Sequence, residues 1–302
     1  MLTGIHFLLT YTCNYECDHC FVRSGPRTEG TFTLAQIKDV LKESKKIGTV
    51  EWIYFEGGEP FLFFPLLVEG IKAARRRGFK VGIVTNAYFG ISEEDSLLWL
   101  RPLQKLGVED VSLSDDSFHF DGKDVSPARR ALAAARRLGL PAGTICVEKP
   151  KTGAGGGQAK SAPITGGVAM FRGRAAEKLT EGLPRKHWAD FTECPYEDLR
   201  EPKRVHVDSY GTVHLCQGLS MGNMWKTRLS RLVRKYDAEM HPICGPLVKG
   251  GPAALAREYG IGQEARYVDA CHCCYMLRTA LLDRFPEFLA PRQVYPAGEG
   301  ER

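Results

Sequence analysis

Short apolar segments alternate with helical patterns through the first half of this chain, and this alternation limits the fold more than any other feature. In residues 34–47, for example, apolar side chains recur at helical spacing between an N-cap at Thr33 and a stop at Gly48. Strands separated by helices favour right-handed βαβ units, and therefore a parallel sheet or barrel with its chemistry at the carboxyl ends of the strands. We predict strands at residues 5–10, 52–55, 80–85, 108–114 and 142–147.

The pattern changes after the fifth strand. Residues 151–163 are rich in Gly, Ala and Lys and predict a loop, and no fifth helix is evident before residues 164–171. Apolar segments at 205–208 and 212–216 flank Ser209-Tyr210-Gly211, which is typical of a β-hairpin. We predict a main domain at 1–180 and a small α+β extension at 181–302, with so little core of its own that it needs a staple.

Composition excludes several classes of protein. Hydrophobic residues make up 43% of the 302-residue chain and charged residues 25%, which is ordinary for a globular protein. No apolar run approaches the roughly 18 residues that span a bilayer, and the N-terminus lacks a signal peptide, so we expect a cytoplasmic protein without a membrane partner. The net charge is only +5, and its densest basic runs read as solvated helix faces, so we expect no nucleic-acid partner.

Ten cysteines are the most informative part of the composition. Because cytosolic thiols stay reduced, clustered cysteines there indicate metal or redox chemistry rather than disulfides. Cys13, Cys17 and Cys20 follow the first strand with the spacing C-x3-C-x2-C. Three thiolates on one loop can hold three irons of a [4Fe–4S] cubane and leave the fourth open, whereas a structural zinc site normally has four protein ligands.

This cysteine loop resembles the motif of the radical S-adenosylmethionine (radical SAM) enzymes, with His19 at the usual aromatic position. Other elements of that family follow in order at strand ends. The resemblance implies a partial (βα)6-type TIM barrel, an α/β fold. It also implies an SAM-binding [4Fe–4S] cluster on the three cysteines, and contacts between the protein and SAM. Those contacts are implied for Gly57, Gly58, Glu59, Pro60, Thr85, Asn86, Ser114, Asp116 and Glu148, with Glu59 facing the SAM amino group.

A second cysteine set is spread over the extension. It resembles the SPASM/twitch extensions of radical SAM enzymes, and Gly173-Arg174-Ala175 resembles the segment that joins barrel to extension. The resemblance implies a second, auxiliary [4Fe–4S] cluster, although four thiolates would satisfy a zinc ion equally well. The implied ligands are Cys194, Cys216, Cys271 and Cys274, with Cys273 as a substitute in the crowded 271–274 segment.

Two further cysteines are spare. Cys146 has the same strand parity as Glu148, so we predict that both face the barrel interior. Cys146 or Cys244 could give a hydrogen atom to a substrate radical, but free cysteines are most often simply buried. His241 is interpreted as a packing or surface histidine.

The resemblance implies reductive cleavage of SAM to a 5′-deoxyadenosyl radical, which removes a hydrogen atom from the substrate. It also implies a one-electron reductant such as flavodoxin or ferredoxin. Because an auxiliary cluster can accept an electron, the first hypothesis for the reaction is oxidative modification of a peptide. A separate leader-peptide-binding protein would then be a partner. The alternatives are dehydrogenation of a small molecule, redox-neutral peptide epimerisation with a cysteine hydrogen donor, and a non-catalytic iron–sulfur or zinc protein.

Overall fold

Six strands lie side by side in parallel, in their order along the chain, in a computed structural model that describes residues 1–150, 166–263 and 265–296. Four helices connect the first five strands. The strands are β1 (Gly4–Thr10), β2 (Trp52–Gly57), β3 (Lys80–Thr85), β4 (Asp110–Ser114), β5 (Ala142–Glu148) and β6 (Gly166–Val168), and the helices are α1 (Leu34–Ile47), α2 (Phe64–Arg75), α3 (Glu93–Lys105) and α4 (Pro127–Arg137).

Local sequence signals account for the helix boundaries. Thr33 caps α1 in a reciprocal capping box with Gln36, and Gly48 ends that helix in the left-handed conformation, with φ of +85°. The hydroxyl of Ser92 caps α3 by accepting from the backbone N–H of Asp95. The predicted helix at residues 34–47 is therefore confirmed.

The two faces of the parallel sheet differ in chemistry. On one face apolar side chains pack against the helices: a Cβ at Gly70 of α2 would lie 3.0 Å from the Phe55 ring. The other face carries polar side chains such as Tyr54, Glu56 and Ser112, as the interior of a partial barrel does. The α/β partial TIM barrel is therefore confirmed. The predicted loop at 151–163 and the expected absence of a fifth helix lie outside the described residues.

The extension continues this sheet. Strand β8 (Arg204–Asp208) pairs in parallel with β1, and β9 (Thr212–Cys216) and β10 (Leu219–Asn223) follow it antiparallel, so the predicted hairpin is confirmed. The remaining elements are α5 (Ala175–Lys178), β7 (Lys186–His187), α6 (Leu229–Lys235), α7 (Cys244–Tyr259), β11 (Arg266–Tyr267) and α8 (Ala270–Ala280).

The extension is better packed than its sequence suggested. Its buried side chains, including Val205, Leu255 and Leu277, belong to the same hydrophobic cluster as the barrel strands. The expectation of little core was wrong because β8 lies directly beside β1 and shares its packing. The division at residue 180 stays a prediction. No helix in the described ranges is long and apolar enough to cross a membrane.

Candidate active site

The loop after β1 carries Cys13, Cys17 and Cys20. Backbone hydrogen bonds fold this loop: the N–H of Cys13 donates to the carbonyl of Gly25 at 3.0 Å, and that of Cys20 donates to Cys17 at 3.0 Å. All three thiols are free. The backbone thus gathers them at the carboxyl end of a barrel strand, as predicted.

Arg174 holds the cysteine loop from the side. Its backbone N–H donates to the carbonyl of Cys20 at 3.0 Å, its Nε donates to the carbonyl of Cys17 at 3.0 Å, and its guanidinium also donates to the carbonyl of Ser24. Gly173, with φ of +61°, must precede it, because a Cβ there would lie 2.3 Å from the carbonyl oxygen of Cys20. The junction segment therefore positions the cysteine loop, a role that the sequence resemblance did not assign.

The thiols lie in surroundings that disfavour isolated thiolates. Burial, together with the neighbouring thiols and carboxylates, raises the pKa of Cys13 to about 11 and that of Cys17 to about 12. N–H groups nevertheless point at the sulfurs: Tyr15 N lies 3.4 Å from Cys13 Sγ, and Ser24 N lies 3.3 Å from Cys20 Sγ. Buried sulfurs that accept N–H groups suit thiolates bound to a cationic metal centre.

The Gly57-Gly58-Glu59-Pro60 turn lies against the cysteine loop. The N–H of Gly58 donates to Thr10 at 2.6 Å, and that of Glu59 donates to Thr12 at 2.9 Å. A Cβ on Gly57 would lie 2.5 Å from the Thr10 oxygen, and one on Gly58 would lie 2.1 Å from the Thr12 oxygen. Both glycines are therefore required by the backbone beside them, in addition to any ligand.

Glu59 is fully buried and links the turn to the next strand end. Its carboxylate accepts from Thr85 Oγ1 at 2.8 Å, from Asn86 N at 2.8 Å and from Phe61 N at 3.0 Å. Burial raises the pKa of Glu59 to about 7, although these hydrogen bonds oppose the rise. A carboxylate has about four acceptor positions, so one is left for an added cation. The side chain of Asn86 donates to Asn14 at 2.9 Å, which brings this strand end to the cysteine loop.

Asp116 closes the site from the end of β4. It accepts from Phe118 N at 3.0 Å, from His119 Nδ1 at 2.8 Å and from Val147 N at 3.1 Å. Burial alone would raise the pKa of Asp116, but the hydrogen bond and charge of His119 outweigh it and lower the pKa. Ser114, the last residue of β4, is half-buried, and Glu148 is exposed at the end of β5.

Aromatic rings cover the outer side of the cysteine loop. His19 packs on Phe118 with ring centroids 4.5 Å apart and on His119 with centroids 5.2 Å apart. Burial and the neighbouring His119 lower the pKa of His19 to about 4, so this ring is neutral near pH 7. An open cleft follows, lined by Tyr15, Cys17, Phe118 and Lys149 among others.

The second cysteine set lines one cavity. Cys194, Cys216, Cys271 and Cys274 surround it, although the first and last are 80 positions apart in sequence. Cys271 and Cys274 come from the first turn of α8, three residues apart on one face. Gly251 supports Cys194 from the kink of α7: its φ is +62°, and a Cβ would lie 2.3 Å from the backbone nitrogen of Glu193.

Two buried arginines flank this cavity, and sequence reasoning missed both. Arg172 donates from Nη1 to Cys216 Sγ at 2.9 Å, and Arg278 donates from Nη1 to the carbonyl of Gln217 at 2.9 Å. In both side chains the buried Nε–H has no hydrogen-bond partner within the described ranges. Such orphaned donors beside four thiols fit an anionic group with several acceptors, as a thiolate-bound cluster with sulfide corners is.

The other cysteines lie apart from this cavity. Cys273 is fully buried in the hydrophobic core and is not among the lining residues, which favours Cys271 and Cys274 as the pair. Cys244 is also buried, and its backbone N–H donates to His241 Nδ1 at 3.0 Å, so His241 is a packing histidine as interpreted.

The predicted orientation of Cys146 was wrong. In the pairing of β5 with β4, Thr144 lies beside Leu113, so Cys146 and Glu148 share the face of Leu113 rather than that of Ser112. Leu113 belongs to the core under the helices, so this is the outer face of the sheet. Parity correctly put the two residues on one side, but only the register with the neighbouring strand shows which side.

Comparison with known proteins bears on the part of the chain that contains the first of these sites. Residues 7–148 match the Radical SAM superfamily, and this span contains the three-cysteine loop and the strand ends around it. The chain carries a radical SAM domain. It is an enzyme whose cofactors are a [4Fe–4S] cluster and SAM.

Radical SAM relatives share only part of their length with this chain. YydG of Bacillus subtilis (strain 168), a protein named for peptide biosynthesis, is 26% identical over 41% of this chain and 39% of its own. An "S-adenosylmethionine-dependent nucleotide dehydratase" of Selenomonas ruminantium is 36% identical over 28% of this chain and 30% of its own length. The chain thus spans well under half of these relatives. The solved structure "Native anSMEcpe with bound AdoMet" has 14% identity and a TM-score of 0.49 over 94% of this chain and 97% of its own.

The close approach of Gly58 leads to a first prediction. Gly58→Ala is expected to displace the Thr12 carbonyl, and with it Cys13, at a cost of about 1–3 kcal/mol in stability. Iron bound after anaerobic reconstitution and the thermal midpoint should both fall. Gly143→Ala is the matched control, because a Cβ there meets nothing within 4 Å. Equal iron and equal midpoints in the two variants would contradict the prediction.

Proposed function

We propose that this radical SAM enzyme oxidises a peptide and uses an auxiliary [4Fe–4S] cluster on Cys194, Cys216, Cys271 and Cys274 as an electron acceptor. The observation that carries the proposal is the cavity lined by these four thiols between the orphaned Nε–H groups of Arg172 and Arg278. Two buried cations stabilise added negative charge, so they favour a group that takes up an electron.

The proposed division of labour assigns each residue group a separate task. Cys13, Cys17 and Cys20 would hold the first cluster, Glu59 would bind the SAM ammonium, and Asp116 would contact the ribose. Bound there, the cluster and SAM supply a 5′-deoxyadenosyl radical that removes one hydrogen atom from the substrate. A net oxidation then removes a second electron and a proton, and only this last step needs an acceptor such as the second cluster.

One name among the relatives supports a peptide substrate. YydG of Bacillus subtilis (strain 168) is named for peptide biosynthesis. A small-molecule substrate is the second candidate, which the relative named as a nucleotide dehydratase favours.

One experiment tests the cluster count on which the proposal depends. Wild type and a Cys13→Ala, Cys17→Ala, Cys20→Ala variant are reconstituted anaerobically, and iron and sulfide are measured per chain. Two cubanes require about eight irons in the wild type and about four in the variant. About four irons in the wild type and almost none in the variant would leave the second set as a zinc site or empty. In that case the proposed oxidation would be rejected in favour of a redox-neutral reaction such as epimerisation.

The adjacent Cys273 and Cys274 offer a matched pair for the second set. Cys274→Ala is expected to lower the iron content from about eight to about four per chain, whereas Cys273→Ala should keep all of it. Cys273→Ala should still unfold more easily, because it removes a fully buried sulfur from the core. If Cys273→Ala lost iron and Cys274→Ala retained it, Cys273 would be the cluster ligand and Cys274 would not.

The substrate class is tested by mass. Reconstituted enzyme is incubated with SAM, dithionite and a synthetic copy of any short peptide encoded beside the gene, and the peptide is weighed. Loss of two hydrogen atoms in wild type, but not in Cys274→Ala, is the expected result. Gain of one deuterium in heavy water, without other change, would indicate epimerisation instead. An unaltered peptide with continued SAM cleavage would favour the small-molecule candidate.

A further inference from the structure

Two histidines and a glutamate that belong to neither cysteine set meet on the inner face of the barrel. His6 comes from β1, Glu56 from β2 and His206 from β8, and His6 lies beside His206 in the parallel pairing of β1 with β8. These side chains face away from Ile5 and Phe7, which pack under the helices. The proposed function uses none of the three.

The ligand atoms of this group converge. His6 Nδ1 lies 2.9 Å from Glu56 Oε1, and His206 Nε2 lies 2.8 Å from the same oxygen. The three ligand atoms all lie within 4.8 Å of one another. The side chains are only 17%, 13% and 10% exposed, respectively, so the group is shielded yet still reachable from the interior.

The chemistry of the three side chains also suits a cation. Two imidazoles and one carboxylate form a donor set that zinc and other divalent transition metals bind in proteins.

Gln217 adds an independent observation. Its side chain is 3% exposed, its Nε2 lies 3.5 Å from His206 Nδ1, and its Oε1 has no hydrogen-bond partner within the described ranges. Rotating the amide by half a turn would let Oε1 accept the Nδ1–H of His206, which removes the orphaned acceptor. His206 Nε2 would then be free to bind a metal, and histidine ligands commonly donate their other N–H to a carbonyl in this way.

Neighbouring rings fix the direction of the remaining histidine. His6 stacks on Tyr54, with ring centroids 4.7 Å apart, and Tyr54 donates its hydroxyl to Asp110 at 3.2 Å. The imidazole of His6 is thus held in place by packing as well as by Glu56. Such supported ligands bind a metal with little further ordering.

We propose that His6, Glu56 and His206 bind a divalent transition metal ion, with Gln217 orienting His206. Three protein ligands leave a further position open toward the barrel interior, as in metal sites that bind water or a substrate oxygen. The metal would therefore lie on the inner face of the barrel and would have a coordination position for water or for an oxygen group of the substrate.

The test uses Zn²⁺ as the probe and needs neither SAM nor substrate. Wild-type enzyme with reconstituted clusters is exposed to a small excess of Zn²⁺ and desalted, and zinc and iron are measured per chain. About one zinc is expected in wild type, and almost none in Glu56→Gln or His206→Asn, with iron unchanged in all three. Gln217→Ala should weaken zinc binding about 10- to 100-fold. Ser112→Ala, a change on the same inner face, is the control and should retain zinc.

X-ray absorption at the zinc edge of the wild type keeps the test decisive if a variant fails to fold. Nitrogen and oxygen neighbours at about 2.0–2.1 Å are expected, whereas sulfur at about 2.3 Å would place zinc on cysteines. Absence of bound zinc in wild type, sulfur neighbours, or retention of zinc in His206→Asn would each overturn the proposal. Since iron is counted in the same samples, these failures stay distinct from failure of the auxiliary cluster.

Discussion

Replacing Cys17 with alanine is expected to abolish production of 5′-deoxyadenosine and to lower bound iron from about eight to about four per chain. Three thiolates hold three irons and leave the fourth for SAM, so removal of one exposes a second iron and destabilises the cluster. Burial raises the pKa of Cys13, which remains in the variant, to about 11. Once metal is lost, this thiol is therefore protonated and does not recapture iron readily. The measurement is chromatography of 5′-deoxyadenosine after incubation with SAM and dithionite.

Cys146→Ala is the matched control for this prediction. Cys146 is an exposed free thiol on the outer face of β5, so its loss should leave the iron count and SAM cleavage at wild-type levels. SAM cleavage that survives in Cys17→Ala would show that the three-cysteine loop is not the site of the reaction. Loss of cleavage in Cys146→Ala would assign that thiol a part in the reaction despite its outward position.

Local patterns were sufficient for the elements that local chemistry determines. The cap at Thr33, the stop at Gly48 and the three cysteines after β1 each depend on residues close in sequence. The strand ends could be assembled because parallel strands must place their carboxyl ends at one edge. The four distant cysteines were grouped by their resemblance to the SPASM/twitch extensions, and not by any local pattern.

Long-range pairing accounts for what the sequence did not reveal. Nothing near His206 indicates that β8 lies beside β1, yet that pairing alone brings His206 to His6 and joins the extension to the barrel core. The same limit explains Cys146: periodicity relates residues within one strand, whereas its face depends on the register with β4. Arg172 and Arg278 were not predicted as site residues, because the sequence does not distinguish a buried arginine from a solvent-exposed one.

Glu59→Gln is expected to weaken SAM binding about 10- to 100-fold, because a charged hydrogen bond to the SAM ammonium is worth about 1.5–3 kcal/mol. Glutamine would keep the shape of Glu59 but not its charge. Its Oε1 can replace only one carboxylate oxygen, either the one that accepts from Thr85 and Phe61 or the one that accepts from Asn86, because the amide N–H₂ cannot accept. The measurement is anaerobic equilibrium dialysis with SAM on reconstituted enzyme. Glu109→Gln, a substitution at a partly exposed surface pair, is the control.

The pH dependence gives this prediction a second readout. Burial raises the pKa of Glu59 to about 7, so the free enzyme carries a protonated carboxyl below that pH and a carboxylate above it. An ammonium binds the carboxylate, so SAM binding must release the proton at low pH. Affinity should therefore rise with pH up to about 7, by nearly tenfold per unit well below that value, and then level off. Glu59→Gln should remove this slope, because no titrating carboxyl remains. If the slope persisted unchanged in the variant, a group other than Glu59 would be responsible for the pH dependence. Asp116 is not a candidate for that group, because His119 lowers the pKa of Asp116.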